Sequence, residues 1–199
     1  MYRYLLIFLI LVSGPAFSAC VLSLGIGETC GSATRYDVEV QSVSLCTEST
    51  CASPVSIGST SKTFDIASAA VGSAIGSYAN FDAVTPGTYT HVSTVVSRTM
   101  VLSGAAVTGC TGSLTSSERS VPNNLGGGSQ TVLDAAMSSL GITWSGTNLK
   151  IITALSSPIT ISKTSVMPSI SVKFGTAKGI MCIATLYYPG VPDVSVTVQ

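Results

Sequence analysis

The single histidine, His91, lies in Tyr89-Thr-His-Val-Ser, so a hydrolase built on a Ser-His-Asp relay has to use it as its base. The run around it alternates as a strand does, and no G-x-S-x-G elbow is present to expose a serine nucleophile. His91 is therefore read as a strand residue beside Tyr89. Ser59-Thr-Ser-Lys62 fits S-x-x-K, and Lys163-Thr164-Ser165 approaches K-T-G, the pair used by serine acyl enzymes of the penicillin-binding type. The chain holds 55 Ser and Thr among 199 residues, so matches of this kind arise by chance. Asp37 and Glu39 are two apart on a predicted strand and share a face, the spacing of a carboxylate pair or a calcium edge. With no second acidic group nearby in sequence, a solvated strand face explains them. The glycines of Leu24-Gly-Ile-Gly-Glu and Leu125-Gly-Gly-Gly lack the lysine and the strand-to-helix setting of a phosphate loop. The sequence thus predicts no enzymatic centre and no cofactor.

Six cysteines remain as chemistry-bearing residues: Cys20, Cys30, Cys46, Cys51, Cys110 and Cys182. Zinc sites use paired C-x-x-C or Cys/His clusters, and neither spacing occurs, so no metal site is predicted. An even set in an exported chain fits a paired disulfide framework, for which fifteen pairings exist on paper. Cys46-Thr-Glu-Ser-Thr-Cys51 closes a short polar loop at the end of a strand-like run and is the most secure pair. Cys20 with Cys30 makes a second local loop and leaves Cys110 with Cys182 as a long-range staple between distant strands.

Export itself is read from residues 1–18. Arg3 precedes the apolar run Leu5 to Val12, Ser13-Gly14-Pro15 breaks it, and small residues follow, which is the pattern of a secretory signal peptide. The run is far shorter than the roughly 20 residues of a membrane-spanning helix, so no span is expected in the mature chain. Cleavage after Ser18 places Ala16 and Ser18 at the small positions. Cleavage after Ala19 would put Cys20 first, the arrangement of a lipid anchor, but would leave an odd number of cysteines. Residues 19–199 then form one secreted domain.

Composition limits what that domain does. Charged residues are 9% of the chain, against roughly 25% in an average soluble domain, while hydrophobic residues are an ordinary 46%. Nine Lys and Arg against nine Asp and Glu give a formal net charge of zero, so no basic field exists to hold a nucleic acid. A surface made of hydroxyls and backbone lacks the repulsion that keeps small domains apart. No Asn-x-Ser/Thr acceptor occurs, so glycans are expected only on Ser or Thr.

The elements that must position these residues are strands, because period-two alternation of β-branched residues bounded by Gly, Pro, Ser and Asn runs through most of the chain. Val38 and Val40 alternate in one phase and Val43 and Leu45 in the other, which predicts a bulge or bend at Gln41-Ser42. Thr85-Pro86-Gly87 launches a long central strand over 89–102. Ile142–Trp144 and Leu149–Leu155 form a hairpin about Ser145-Gly146-Thr147-Asn148, followed by a short strand over Pro158–Ser162. Ser169–Phe174 and Ile180–Tyr187 read as a hairpin, and Val194–Gln199 as a terminal strand. Thr131–Leu140 has helical spacing with Gly141 as a stop. Ile66–Tyr78 fits either a helical turn or a loop, and Ser120–Ser129 reads as a loop. The predicted fold is an all-β, mainly antiparallel sandwich of Ig-like or pilin-like kind with one short helix.

The signal peptide, the disulfide-bearing β-domain and the alternating segments at both ends, Val21–Gly27 and Val194–Gln199, resemble a bacterial pilin-type fibre subunit. That resemblance implies a structural subunit of an extracellular or cell-surface filament, with identical subunits as partners, in which a terminal strand of one copy completes a sheet of the next. The candidate donor residues are Leu22, Leu24 and Ile26 at one end, and Val194, Val196 and Val198 at the other. The cysteine set exceeds the single bridge of chaperone–usher pilins, and Pro15 leaves no room for the long leading helix of type IV pilins. Two other classes fit the sequence less well. A secreted sandwich that binds carbohydrate usually exposes aromatics, which are scarce here. An outer-membrane barrel needs aromatic girdles and strands of about ten residues throughout.

Overall fold

The computed structural model describes residues 20, 28–68, 84–123, 127–162 and 170–198. Thirteen strands and one helix are described, and all the strand pairings are antiparallel. The expected all-β class with a single short helix is therefore what the chain adopts. The expected signal peptide, residues 1–18, and the segment 69–83 lie outside the described residues, as do Leu22, Leu24, Ile26 and Lys163-Thr164-Ser165.

The organising element is β2 (Ala33–Cys46), fourteen residues long. Along one side run β3 (Val55–Gly58) and β4 (Lys62–Asp65), and along the other β5 (Gly87–Val96) and β6 (Thr99–Gly104). The expected strand over 89–102 is thus broken at Ser97-Arg98, where Ser97 N–H still donates to the carbonyl of Glu39 on β2 (2.9 Å). Beyond β6 lies β7 (Leu114–Ser120). Beyond β5 lie β9 (Asn148–Ile161) and β8 (Ile142–Ser145), joined by a turn with Gly146 at φ 62°. Pro158, which cannot donate to a ladder, sits inside β9 where the register shifts opposite Tyr89 and His91. One irregular strand therefore replaces the two expected.

The phase slip at Gln41-Ser42 is a bulge between Val40 and Ser42. Directly opposed residues share a face. Val40, Val43 and Leu45 oppose Val96, Thr94 and Val92, which alternate regularly on β5, so the bulge returns both valine phases to the same side of the sheet. That side carries two apolar clusters. One gathers Leu45, Ile57, Tyr89, Val92, Ile159 and Ile161 at the end where β2 finishes. The larger gathers Tyr36, Val38, Val96, Met100 and Leu102, and receives a second sheet.

That second sheet is β1 (Thr29–Gly31), β11 (Ile180–Ile183) and β12 (Leu186–Pro189), in the order β1-β11-β12. All four β11 residues are buried, so it is covered on both faces. Ile180 packs closely on β6, and a Cβ on Gly104 would lie 2.3 Å from its Cδ1 and 2.6 Å from the Ser32 backbone carbonyl oxygen; the second, which cannot swing aside as a side chain can, requires glycine there. The Tyr36 hydroxyl, fully buried, donates to the carbonyl of Gly190 (2.8 Å) and fastens the end of β12 to the large sheet. The helix α1 (Gly127–Ser139) closes the cluster with Leu133 and Met137; it starts four residues earlier than the sequence pattern indicates, within the expected loop.

Two expectations are corrected. The hairpin of Ser169–Phe174 with Ile180–Tyr187 does not form: β10 (Ile170–Gly175) pairs with β13 (Asp193–Val198), and β11 with β1 and β12. Between them the chain is turned into the second sheet by bonds from Ala33 N–H and Gly179 N–H to the carbonyl of Thr176 (both 3.0 Å). Ile180–Tyr187 is itself two strands joined by Ala184-Thr185. Three disulfides, Cys20–Cys30, Cys46–Cys51 and Cys110–Cys182, complete the fold. The last ties β11 to the connection between β6 and β7, not to a second strand.

Candidate assembly site

Asp37 accepts two bonds from Arg35, Nη2 to Oδ2 at 2.6 Å, which with the Coulombic attraction raises the guanidinium above its ordinary value. Asp65 stands opposite Asp37 on β4, a pairing that sequence distance hid, but its Oδ1 accepts from the N–H groups of Tyr36, Ala67 and Ser68. Among the described residues no group of three metal-ligating side chains comes together. Nor is any helix there long and apolar enough to cross a membrane.

The terminal segments differ in how they are held. Cys20–Cys30 ties both ends of the stretch containing Leu22, Leu24 and Ile26 into a covalent loop, so that stretch is not a free extension. The same bond occupies the Cys20 sulfur that a lipid anchor would need. At the other end, β13 pairs only with β10, in a ribbon of two strands that forms no ladder with either larger sheet but lies against β9. Val194, Val196 and Val198 stand opposite Phe174, Val172 and Ile170. A two-stranded ribbon is marginally stable on its own in water, and this one is held by its contact with β9 and by Phe174 packed against the main cluster. Its root is well defined: Gly190 N–H donates to the carbonyl of Gly179 (2.9 Å), the Gly190 carbonyl accepts from Tyr36, and Val191 packs against the core. The chain is pinned as far as Val191, and the terminal strand begins two residues later.

A possible receiving surface lies between β7 and β12. These are edge strands of the two sheets, and they run beside each other without forming a ladder. Between them is a groove of about 460 Å³, with Glu118, Arg119 and Ser120 on one wall and Leu186, Tyr187 and Tyr188 on the other. Leu186 is 59% exposed, the most exposed large apolar side chain among the described residues. Arg119 Nη1 donates to the carbonyl of Glu118 (3.3 Å), while its Nε is shielded from water and has no hydrogen-bond partner. A shielded donor without an acceptor is unfavourable by about 1–3 kcal/mol until something supplies one. The groove was not legible in the sequence, because its two walls are more than sixty residues apart.

The chain is a disulfide-stapled, mainly antiparallel β protein with two sheet edges left open to a groove. Compared with protein-family models, curated proteins and solved structures, it matches none of them.

Proposed function

We propose that this chain is a structural subunit of an extracellular or cell-surface filament whose identical copies join by β-strand addition. The observation that carries the reading is the groove between the unlaced edges of β7 and β12. Edge strands are ordinarily guarded by charge, proline or cover. Here the guards are one Glu-Arg pair on β7 and Pro189 at the end of β12.

The donor in this reading is Asp193–Val198. It alternates apolar and small polar residues, as strand addition requires, and it hangs from a pinned root on a ribbon of one ladder. Leaving β10 costs the strand its ladder and its contact with β9, and pairing with an edge of the next copy restores a ladder. The net gain comes from water displaced from the groove, where covering Leu186 contributes about 1–2 kcal/mol. Because no net charge opposes association, small gains repeated at every joint suffice. Three disulfides suit the oxidising environment outside a cell.

The test is Val196→Asp. A charge in the middle of the donor strand abolishes filaments seen by negative-stain microscopy, while circular dichroism retains the β spectrum of the folded domain. Filaments that persist in this variant overturn the carboxy-terminal strand as donor.

A further inference from the structure

On the opposite side of the large sheet from its two apolar clusters is a second depression of about 460 Å³, over β5, β9 and β8. Its floor is aliphatic, Ile152 and Ala154. One end is the Cys46–Cys51 loop, presenting the hydroxyls of Ser49 and Thr50, with His91 beside it; the other end presents Thr143, the last turn of α1 and Lys150. None of the lining residues is acidic, and Glu48 of the same loop is not among them. Among the described residues no carboxylate pairs with Lys150.

The hydrogen bonds show which nitrogen of His91 is already engaged. Thr90 Oγ1 lies 2.8 Å from the carbonyl of Thr47 and 2.8 Å from His91 Nδ1. A hydroxyl has one hydrogen, and the carbonyl can only accept, so Thr90 donates to Thr47. The Nδ1–H of His91 then donates to Thr90, which in the uncharged tautomer leaves the ring's lone pair on Nε2. The site thus combines an acceptor at Nε2, a cation at Lys150, hydroxyls able to donate or accept, and an aliphatic floor.

We infer that this depression binds a saccharide residue bearing a carboxylate. A sugar hydroxyl donates to His91 Nε2, the carboxylate meets the ammonium of Lys150, and the C–H face of the ring lies on Ile152 and Ala154. A bare anion has nothing to give Nε2, and a neutral sugar leaves Lys150 unpaired. The site is independent of the β7–β12 groove, and along a filament it would repeat at every subunit, adding avidity to a weak individual contact.

The experiment is an NMR titration of the mature chain with a disaccharide containing glucuronic acid, its neutral glucose counterpart, and sodium acetate. The acidic disaccharide shifts the His91 ring and Ile152 methyl signals and binds about tenfold more tightly than the neutral one, the scale of one charge-assisted hydrogen bond. Lys150→Gln removes that preference, and His91→Ala weakens both sugars; Thr143→Ala, at an exposed position, is the second probe should His91→Ala fail to fold. The inference is overturned if none of these signals moves at tens of millimolar sugar, if acetate moves them as strongly as the acidic disaccharide, if the neutral sugar binds as tightly as the acidic one, or if Lys150→Gln leaves the preference intact.

Discussion

The two-residue turn between β11 and β12 makes a prediction that runs against ordinary expectation for mutations. Ile183 and Leu186 are paired across β11 and β12, so only Ala184 and Thr185 make the connection. Both have positive φ, 47° and 70°. That is the two-residue turn whose twist suits a hairpin, and its usual residues are Asn-Gly. Alanine and threonine in left-handed conformation each cost roughly 1–2 kcal/mol, threonine more because of its branched Cβ. Replacing Ala184→Asn and Thr185→Gly together relieves most of this, less up to about 1 kcal/mol for the freedom glycine gains when unfolded. The expected gain is about 1–2 kcal/mol. With a urea m-value near 2 kcal/mol/M for a domain of this size, the unfolding midpoint rises by roughly 0.5–1 M. Equilibrium urea denaturation of the oxidised protein, followed by tryptophan fluorescence and far-UV circular dichroism, measures it. An unchanged or lowered midpoint with an unchanged m-value refutes the strained turn.

Three further outcomes follow from other parts of the fold. Removing the long staple by Cys110→Ser with Cys182→Ser, which frees a loop with a sequence separation of 72, lowers stability by about 4 kcal/mol in the chain-entropy model, read as a fall in the denaturation midpoint. Gly141→Ala sets a Cβ 2.5 Å from the Ile152 carbonyl at φ 73°, and destabilises by roughly 2–3 kcal/mol in the same assay. Burial raises the Tyr36 phenol above its ordinary 10.0, so the unfolded chain loses this proton first; stability is complete below pH 10 and falls as pH rises past it. Tyr36→Phe flattens that alkaline slope while lowering neutral stability by about 1–3 kcal/mol, because the Gly190 carbonyl loses its donor.

How far the sequence exposes this architecture depends on whether the determinant is local. The bulge at Gln41 is legible because two valine pairs sit in opposite phases on one strand, and the β8–β9 turn because Gly146 marks it. The Ala184-Thr185 turn is invisible: neither residue signals a turn, and the run Ile180–Tyr187 reads as one strand. The pairing of β10 with β13 instead of β11 depends on backbone bonds from Ala33 and Gly179 to Thr176 that no pattern shows. The groove has the same origin. Arg119 and Leu186 are unremarkable apart, and their strands are brought together by the packing of β11 on Gly104, the Cys110–Cys182 bridge and the bond from the Tyr187 hydroxyl to the Gly112 carbonyl (2.6 Å). His91 is recognisable as a strand residue from its alternation, yet Lys150 and the Cys46–Cys51 loop reach its surroundings through register alone.

The proposed joining of copies end to end through their open sheet edges is tested by negative-stain microscopy of the oxidised protein over a range of concentrations. Unbranched filaments that lengthen with concentration are the expected result. Dispersed single particles of monomer size at every concentration would contradict it.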